Sequence, residues 1–209
     1  ALSIGMMLYY RRHVVDAPQA RRAPASAAPS APRPGLRSLL TGRWASAFWA
    51  AFVLMVEKFR LVADPAYVPS CSISPLLSCG SVMSTAQAEV FGFPNPVMGV
   101  AGFAALVTVA VTLLAGARLP SWYWIGLTVG TGLGTVFVHW LIFQSLYRIG
   151  ALCPYCMVVW VVTVSALVAV LARWSRAGAL PPWVGGYAST IVVAWVLVIA
   201  ALIAIRFWD

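Results

Sequence analysis

The sequence predicts an all-α integral membrane protein with five spans, and three observations lead there. Of 209 residues, 62% are apolar and only 9% are charged, against roughly 45–50% and about 25% in soluble domains. Four stretches, 90–117, 119–147, 149–172 and 177–205, contain no Asp, Glu, Lys or Arg. Apolar residues run through them continuously rather than alternating, which excludes a closed β-barrel. A spanning helix needs about 20 predominantly apolar residues, because ~30 Å of hydrocarbon is crossed at 1.5 Å per residue.

Taken in order, residues 1–10 are apolar but too short to span, and residues 16–38 are rich in Ala, Pro, Ser and Arg. The latter hold too little apolar bulk to offset ordering entropy, and 1–38 reads as a disordered basic cytoplasmic tail. The membrane domain is expected over 39–209. Its first helix, 39–62, is the weakest, because Arg43, Glu57 and Lys58 flank a clean core of only 44–56 and must snorkel. Trimmed of Pro and Gly at their edges, the uncharged stretches give helices at 97–117, 122–148, 153–172 and 184–206. Residues 63–96 form a long loop. The third span carries Gly126, Gly130 and Gly134 on one face, a spacing that lets another helix approach closely. Glu57 and Lys58 read as a solvated pair at the membrane interface.

A net charge of +9 raises the question of nucleic acid. The topology answers it. With five spans and an interior N-terminus, the inner segments hold ten basic residues against one acid, and the outer segments four against four. Excess Lys/Arg marks cytoplasmic loops. The charge is therefore topological, no nucleic-acid partner is expected, and the 63–96 loop lies outside.

The chemistry rests on four cysteines. Cys153-Pro154-Tyr155-Cys156 opens the fourth span, which puts two thiols one turn apart on one face, close enough for a disulfide. Pro154 suits the first helical position, and the helix N-terminus should lower the pKa of Cys153. Cys71 and Cys79 lie in the outer loop, either closing it or working separately. Both pairs fall on the outer face, where disulfides persist. A mobile pair facing a rigid pair suggests thiol–disulfide exchange. The alternatives are a stapled loop with two incidental thiols, or a membrane metal-binding or structural subunit using all four thiols.

These residues resemble the vitamin K epoxide reductase family. The resemblance runs from Glu57 to Ala172 and includes VPSCSISPLLSCGSV at 68–82, FGFPNPVMG at 91–99 and HWLIFQSLYRIGALCPYC at 139–156. It is nearest to actinobacterial members without a fused thioredoxin-like domain. The DsbB type places its C-x-x-C in the first outer loop and its separated pair in the second, the reverse of the order here. The resemblance implies a four-helix transmembrane bundle around a quinone, with a fifth, peripheral helix and the outer loop as a cap. It implies a quinone-dependent thiol oxidoreductase in the plasma membrane, its N-terminus cytoplasmic and its redox site extracytoplasmic. Electrons from a secreted or membrane-anchored thioredoxin-like, DsbA-type partner would pass through Cys71 and Cys79 to Cys153 and Cys156. The membrane quinone pool, menaquinone ahead of ubiquinone, would receive them beside Cys156. Epoxide reduction is not implied. Cys71 is favoured to meet the partner and Cys79 to meet Cys153. Asn95 aligns with a quinone-contacting Asn, Thr85 with a Ser/Thr position, and Trp160 with a position that is Tyr in animal enzymes. Pro96 replaces a common Ser. His139, near mid-membrane, is expected to be a neutral side chain bonded across the bundle ahead of a proton donor to the reduced quinone.

Overall fold

The computed structural model describes residues 34–117 and 119–208, with side chains placed from Gly42 onward. The chain order is α1 (Pro34–Ala63), α2 (Cys79–Met83), a 3₁₀ turn (Ala86–Glu89), α3 (Asn95–Leu114) and α4 (Ser121–Gln144). A π-helical turn (Ser145–Ile149), α5 (Pro154–Arg176), α6 (Pro182–Gly186) and α7 (Ala188–Phe207) follow. Among the described residues, four helical segments are long and apolar enough to cross a membrane: α3, α4 with its π turn, α5 and α7. The protein is an all-α membrane protein.

The starts of these helices follow local rules. Pro96, Pro154 and Pro182 each occupy the first or second helical position, where a missing N–H and a fixed φ are harmless. Pro34 likewise heads α1. Residues 34–38, expected as the end of the tail, are thus the first residues of a helix; the rest of that tail, 1–33, lies outside the described residues. At 30 residues, about 45 Å at 1.5 Å per residue, α1 exceeds the hydrocarbon thickness. Near the end of α4 the backbone loosens into the π turn and stops at Gly150, whose φ of 70° is a left-handed value that favours glycine.

α1, α3, α4 and α5 form the bundle. Trp44, Ala47 and Ala51 of α1 meet Phe103, Leu106 and Ala110 of α3 and Val162 and Ala166 of α5, with Leu127 of α4 against them. Small side chains let the helices approach: the Ala51 methyl lies 3.1 Å from where a Cβ on Gly99 would be. Trp174 of α5 donates to Thr128 Oγ1 of α4 at 2.8 Å. α5 is the most buried span and α7 the least. α7 packs on the outside, through Val192 against Val164 and Val168 of α5 and through Trp195, Ile199 and Ile203 beside Val138, Ile142 and Trp160.

The glycine face of α4 does not behave as expected. Gly134 approaches the Thr163 methyl of α5, but Gly126 and Gly130 have open space where a Cβ would be. α5 covers only the end of α4 nearer the cysteines along that face.

Candidate functional site

The site is assembled at the C-terminal end of α1 and the N-terminal end of α5 by a short piece of main-chain pairing. Leu152 N–H donates to Leu76 O at 2.8 Å, and Ser78 N–H donates to Leu152 O at 3.0 Å, a parallel β-bridge between Leu77 and Leu152. Cys79 follows one partner by two residues, and Cys153 follows the other directly. The turn that carries Leu77 is closed by Ile73 N–H to Leu77 O at 2.8 Å. Ser78 caps α2 by accepting from Ser81 N–H, and Ser72 Oγ accepts from Gly80 N–H at 3.2 Å.

Cys71 and Cys79 form a disulfide, while Cys153 and Cys156 are free thiols. Cys79 is 0% and Cys153 1% exposed, and their sulfurs are 3.1 Å apart. That separation lies within the ~3–3.5 Å of a near-attack arrangement. Sγ atoms of Cys71, Cys79 and Cys153 all lie within 4.8 Å of one another. Leu54 and Met83 complete the apolar wall around them, with Leu61, Val82, Tyr155 and Cys156 against it. The hydrogen bond from the Cys156 thiol pulls the Cys153 pKa below the ordinary thiol value; backbone N–H groups of Cys156 and Tyr155 act in the same direction, and burial opposes them. The sequence expectation of a helix N-terminal effect holds, with the neighbouring thiol contributing more.

The other expected site residues occupy varied surroundings. Asn95, the first residue of α3, donates from Nδ2 to Gln87 O at 2.7 Å and accepts from Val90 N–H at 3.3 Å. Its amide thus ties the 3₁₀ turn of the 63–96 loop to the start of α3. Thr85 Oγ1 donates to Val82 O at 2.8 Å, inside the same loop. Trp160 is 3% exposed and packs with Val138, Ile142, Leu146 and Leu152, a cluster that Cys156 also adjoins. His139 lies exposed on α4 beside α7, outside the sulfur cluster. Its Nε2 accepts from Trp195 Nε1 at 2.9 Å. Indole can only donate, so Nδ1 carries the proton and donates to Thr135 O at 2.8 Å. Both ring nitrogens are engaged. Its partner is the peripheral helix rather than another member of the four-helix bundle.

Glu57 and Lys58 overturn the reading of a solvated pair. Each is only 6% exposed. Glu57 accepts from Tyr67 OH at 2.8 Å and from Ser70 OH at 2.7 Å, directly before Cys71. Lys58 Nζ donates to Met83 O at 2.7 Å and pairs with Glu89 at 2.7 Å, beyond Cys79. Two consecutive residues of α1 therefore hold both flanks of the disulfide loop. Two adjoining charges at the end of a span, just before a cysteine loop, were the available signal, since such groups are costly there unless they are bonded.

Replacing Lys58 with Met should speed hydrogen–deuterium exchange across 80–90 while leaving α5 protected, and Lys58→Arg should restore protection. Unchanged exchange in Lys58→Met would show that the clamp contributes nothing. The thiol geometry gives a second prediction. Cys156→Ser and Cys156→Ala each leave Cys153 able to attack the loop disulfide and stop at the Cys79–Cys153 mixed disulfide. Its formation rate should rise with pH as the thiolate forms, with a midpoint below the ordinary ~8.5 where a donor remains. Removing the donor in Cys156→Ala should move the midpoint up relative to Cys156→Ser. Peptide mapping after acid quench measures both rates; equal midpoints would remove residue 156 as the cause.

Comparison with the curated proteins finds no match. The family model described as "Vitamin K epoxide reductase family" matches residues 39–171, from α1 to near the end of α5. That stretch contains the bundle, both cysteine pairs and the main-chain bridge between them. This chain belongs to the vitamin K epoxide reductase family, a membrane thiol–disulfide oxidoreductase by descent and by the sulfurs it brings together.

Proposed function

We propose that the protein reoxidises a thioredoxin-like dithiol partner on the extracytoplasmic side and passes the electrons to a membrane quinone, supporting disulfide formation. The contact between Cys79 and Cys153 carries the proposal. In the exchange, two partner thiols reduce the Cys71–Cys79 disulfide and the partner becomes oxidised. Cys79 thiolate then attacks Cys153 of an oxidised Cys153–Cys156 pair, with Cys156 as leaving thiolate. Cys71 thiolate attacks Cys79 and releases Cys153. The loop disulfide is regenerated, and two electrons now reside on Cys153 and Cys156. That is the redox state of the four cysteines in this structure.

A bound quinone would supply the two-electron acceptor that returns Cys153 and Cys156 to the disulfide. The surroundings of Cys156 fit such a group. The thiol is half-buried in the first turn of α5 and adjoins both apolar clusters, near Leu54 and Met83 on one side and Trp160 and Ile142 on the other. Asn95 keeps one amide hydrogen beyond the one given to Gln87, enough to meet a carbonyl. The extracytoplasmic placement rests on the charge asymmetry of the sequence. Menaquinone remains the favoured quinone.

In proteoliposomes, Cys156→Ala should abolish quinone reduction even with dithiothreitol as donor. Cys71→Ala and Cys79→Ala should keep dithiothreitol-driven turnover and lose turnover with a thioredoxin-like dithiol protein. Complete loss with dithiothreitol in the loop variants would overturn the relay. Asn95→Ala should lower quinone reduction at least tenfold, in line with losing a donor aimed at developing oxyanion charge. Asn95→Asp should not rescue it, because an ionised carboxylate only accepts. Quinone reduction within twofold of wild type in Asn95→Ala would confine Asn95 to holding the loop.

A further inference from the structure

We infer that the fully reduced protein contains a closed binding site for one soft d¹⁰ cation, Zn²⁺ or Cd²⁺, held by Cys71, Cys79 and Cys153 with Cys156 as the fourth ligand, and that oxidation of the loop dismantles it. The inference goes beyond electron transfer, because the redox relay needs the sulfurs only in pairs. The fold brings three of them together, within 4.8 Å of one another, and Cys156, in the first turn of α5 three residues after Cys153, packs against the same cluster. Tetrahedral Zn–S bonds of about 2.3 Å place sulfurs roughly 3.8 Å apart, by tetrahedral geometry from that bond length. Cys79 and Cys153, at 3.1 Å, would need to separate by less than an ångström. Once reduced, Cys71 and Cys79 are free to separate by side-chain rotation.

The surroundings favour a metal of this class. Cys71, Cys79 and Cys153 are buried, as ligands of closed, water-free zinc sites are. The donors are sulfur alone; Leu54 and Met83 supply the wall, and no His or carboxylate joins the three-sulfur group. Such a set selects soft cations over Mg²⁺ or Ca²⁺. Each thiol that coordinates releases its proton to solvent, so no electron moves and binding strengthens as pH rises. In the state seen here the loop disulfide withholds two ligands. The cation would therefore capture the protein when donor thiols are plentiful and the electron acceptor is scarce. It would hold Cys79 and Cys153 in the reduced state until it is removed.

Titrating Cd²⁺ into the detergent-solubilised full chain tests this, with sulfur-to-cadmium charge-transfer absorbance and bound metal per chain as readouts. The protein is reduced, freed of reductant under anaerobic conditions and compared with the same protein carrying the Cys71–Cys79 disulfide. One Cd²⁺ per chain in the reduced form, and at least a hundredfold weaker binding in the disulfide form, is expected. Because both samples are wild type, misfolding cannot produce the difference. Equal binding by both forms would assign the metal to Cys153 and Cys156 alone, and no binding by either would remove the site; both overturn the inference. None of these readouts requires quinone reduction, so failure of the proposed activity and failure of the metal site are distinguishable.

Discussion

Two hydrogen bonds between main-chain atoms, joining Leu76 and Ser78 to Leu152, determine the chemistry available to this protein. They join a loop that follows α1 to the segment that introduces α5, about 75 residues later in sequence, and set which sulfur faces which. A pairing between backbones is indifferent to side-chain identity but strict about spacing. In an extended segment, successive side chains point to opposite sides. One residue added between Leu77 and Cys79 would therefore move the start of α2 and displace its sulfur from Cys153, whereas many substitutions at Leu77 would leave the register intact.

The membrane makes this arrangement demanding. Polar groups beside hydrocarbon need partners, and the site meets that requirement with serine hydroxyls, carbonyl oxygens and two charged side chains. Glu57 and Lys58 are bonded on all sides that matter to the loop, through Tyr67, Ser70, Met83 and Glu89. The sulfurs themselves stay among apolar neighbours, where a thiolate gains stability chiefly from hydrogen bonds. Cys153, at the head of α5, has its pKa held below the ordinary thiol value by the neighbouring Cys156 thiol and by the main-chain N–H groups of Cys156 and Tyr155. The polar shell secures the loop and leaves the exchange itself dry.

Most of the architecture was legible in the sequence because hydrocarbon thickness imposes helix length. The spans expected at 97–117, 122–148, 153–172 and 184–206 fall on helices whose ends differ by a few residues, at α3, α4 with its π turn, α5 and α7. The C-x-x-C was legible because a local motif fixes its own geometry. What escaped depends on distant partners. Nothing near Glu57 announces that Tyr67 and Ser70 will fold back onto it. The glycines of α4 indicate that close approach is possible, but only Gly134 meets α5. His139 was legible as a bonded residue, but its partner, Trp195, belongs to a helix 56 positions later. The beginning of α1 was misplaced because Pro34 looks like part of a proline-rich tail when the helix behind it is not yet known.

α1 carries the loop by both flanks, whereas Cys153 belongs to α5. The two helices meet through small residues such as Ala47, Ala51 and Ala166 together with Trp44 and Val162, and nearer the sulfurs through Leu54 and Leu61 of α1 beside Tyr155 and Cys156 of α5. α1, at 30 residues, is also longer than the hydrocarbon is thick, and a helix of that length that spans a membrane accommodates by tilting. The separation of Cys79 and Cys153 therefore depends on how α1 and α5 stand against each other at their loop ends as well as on the bridge between Leu77 and Leu152.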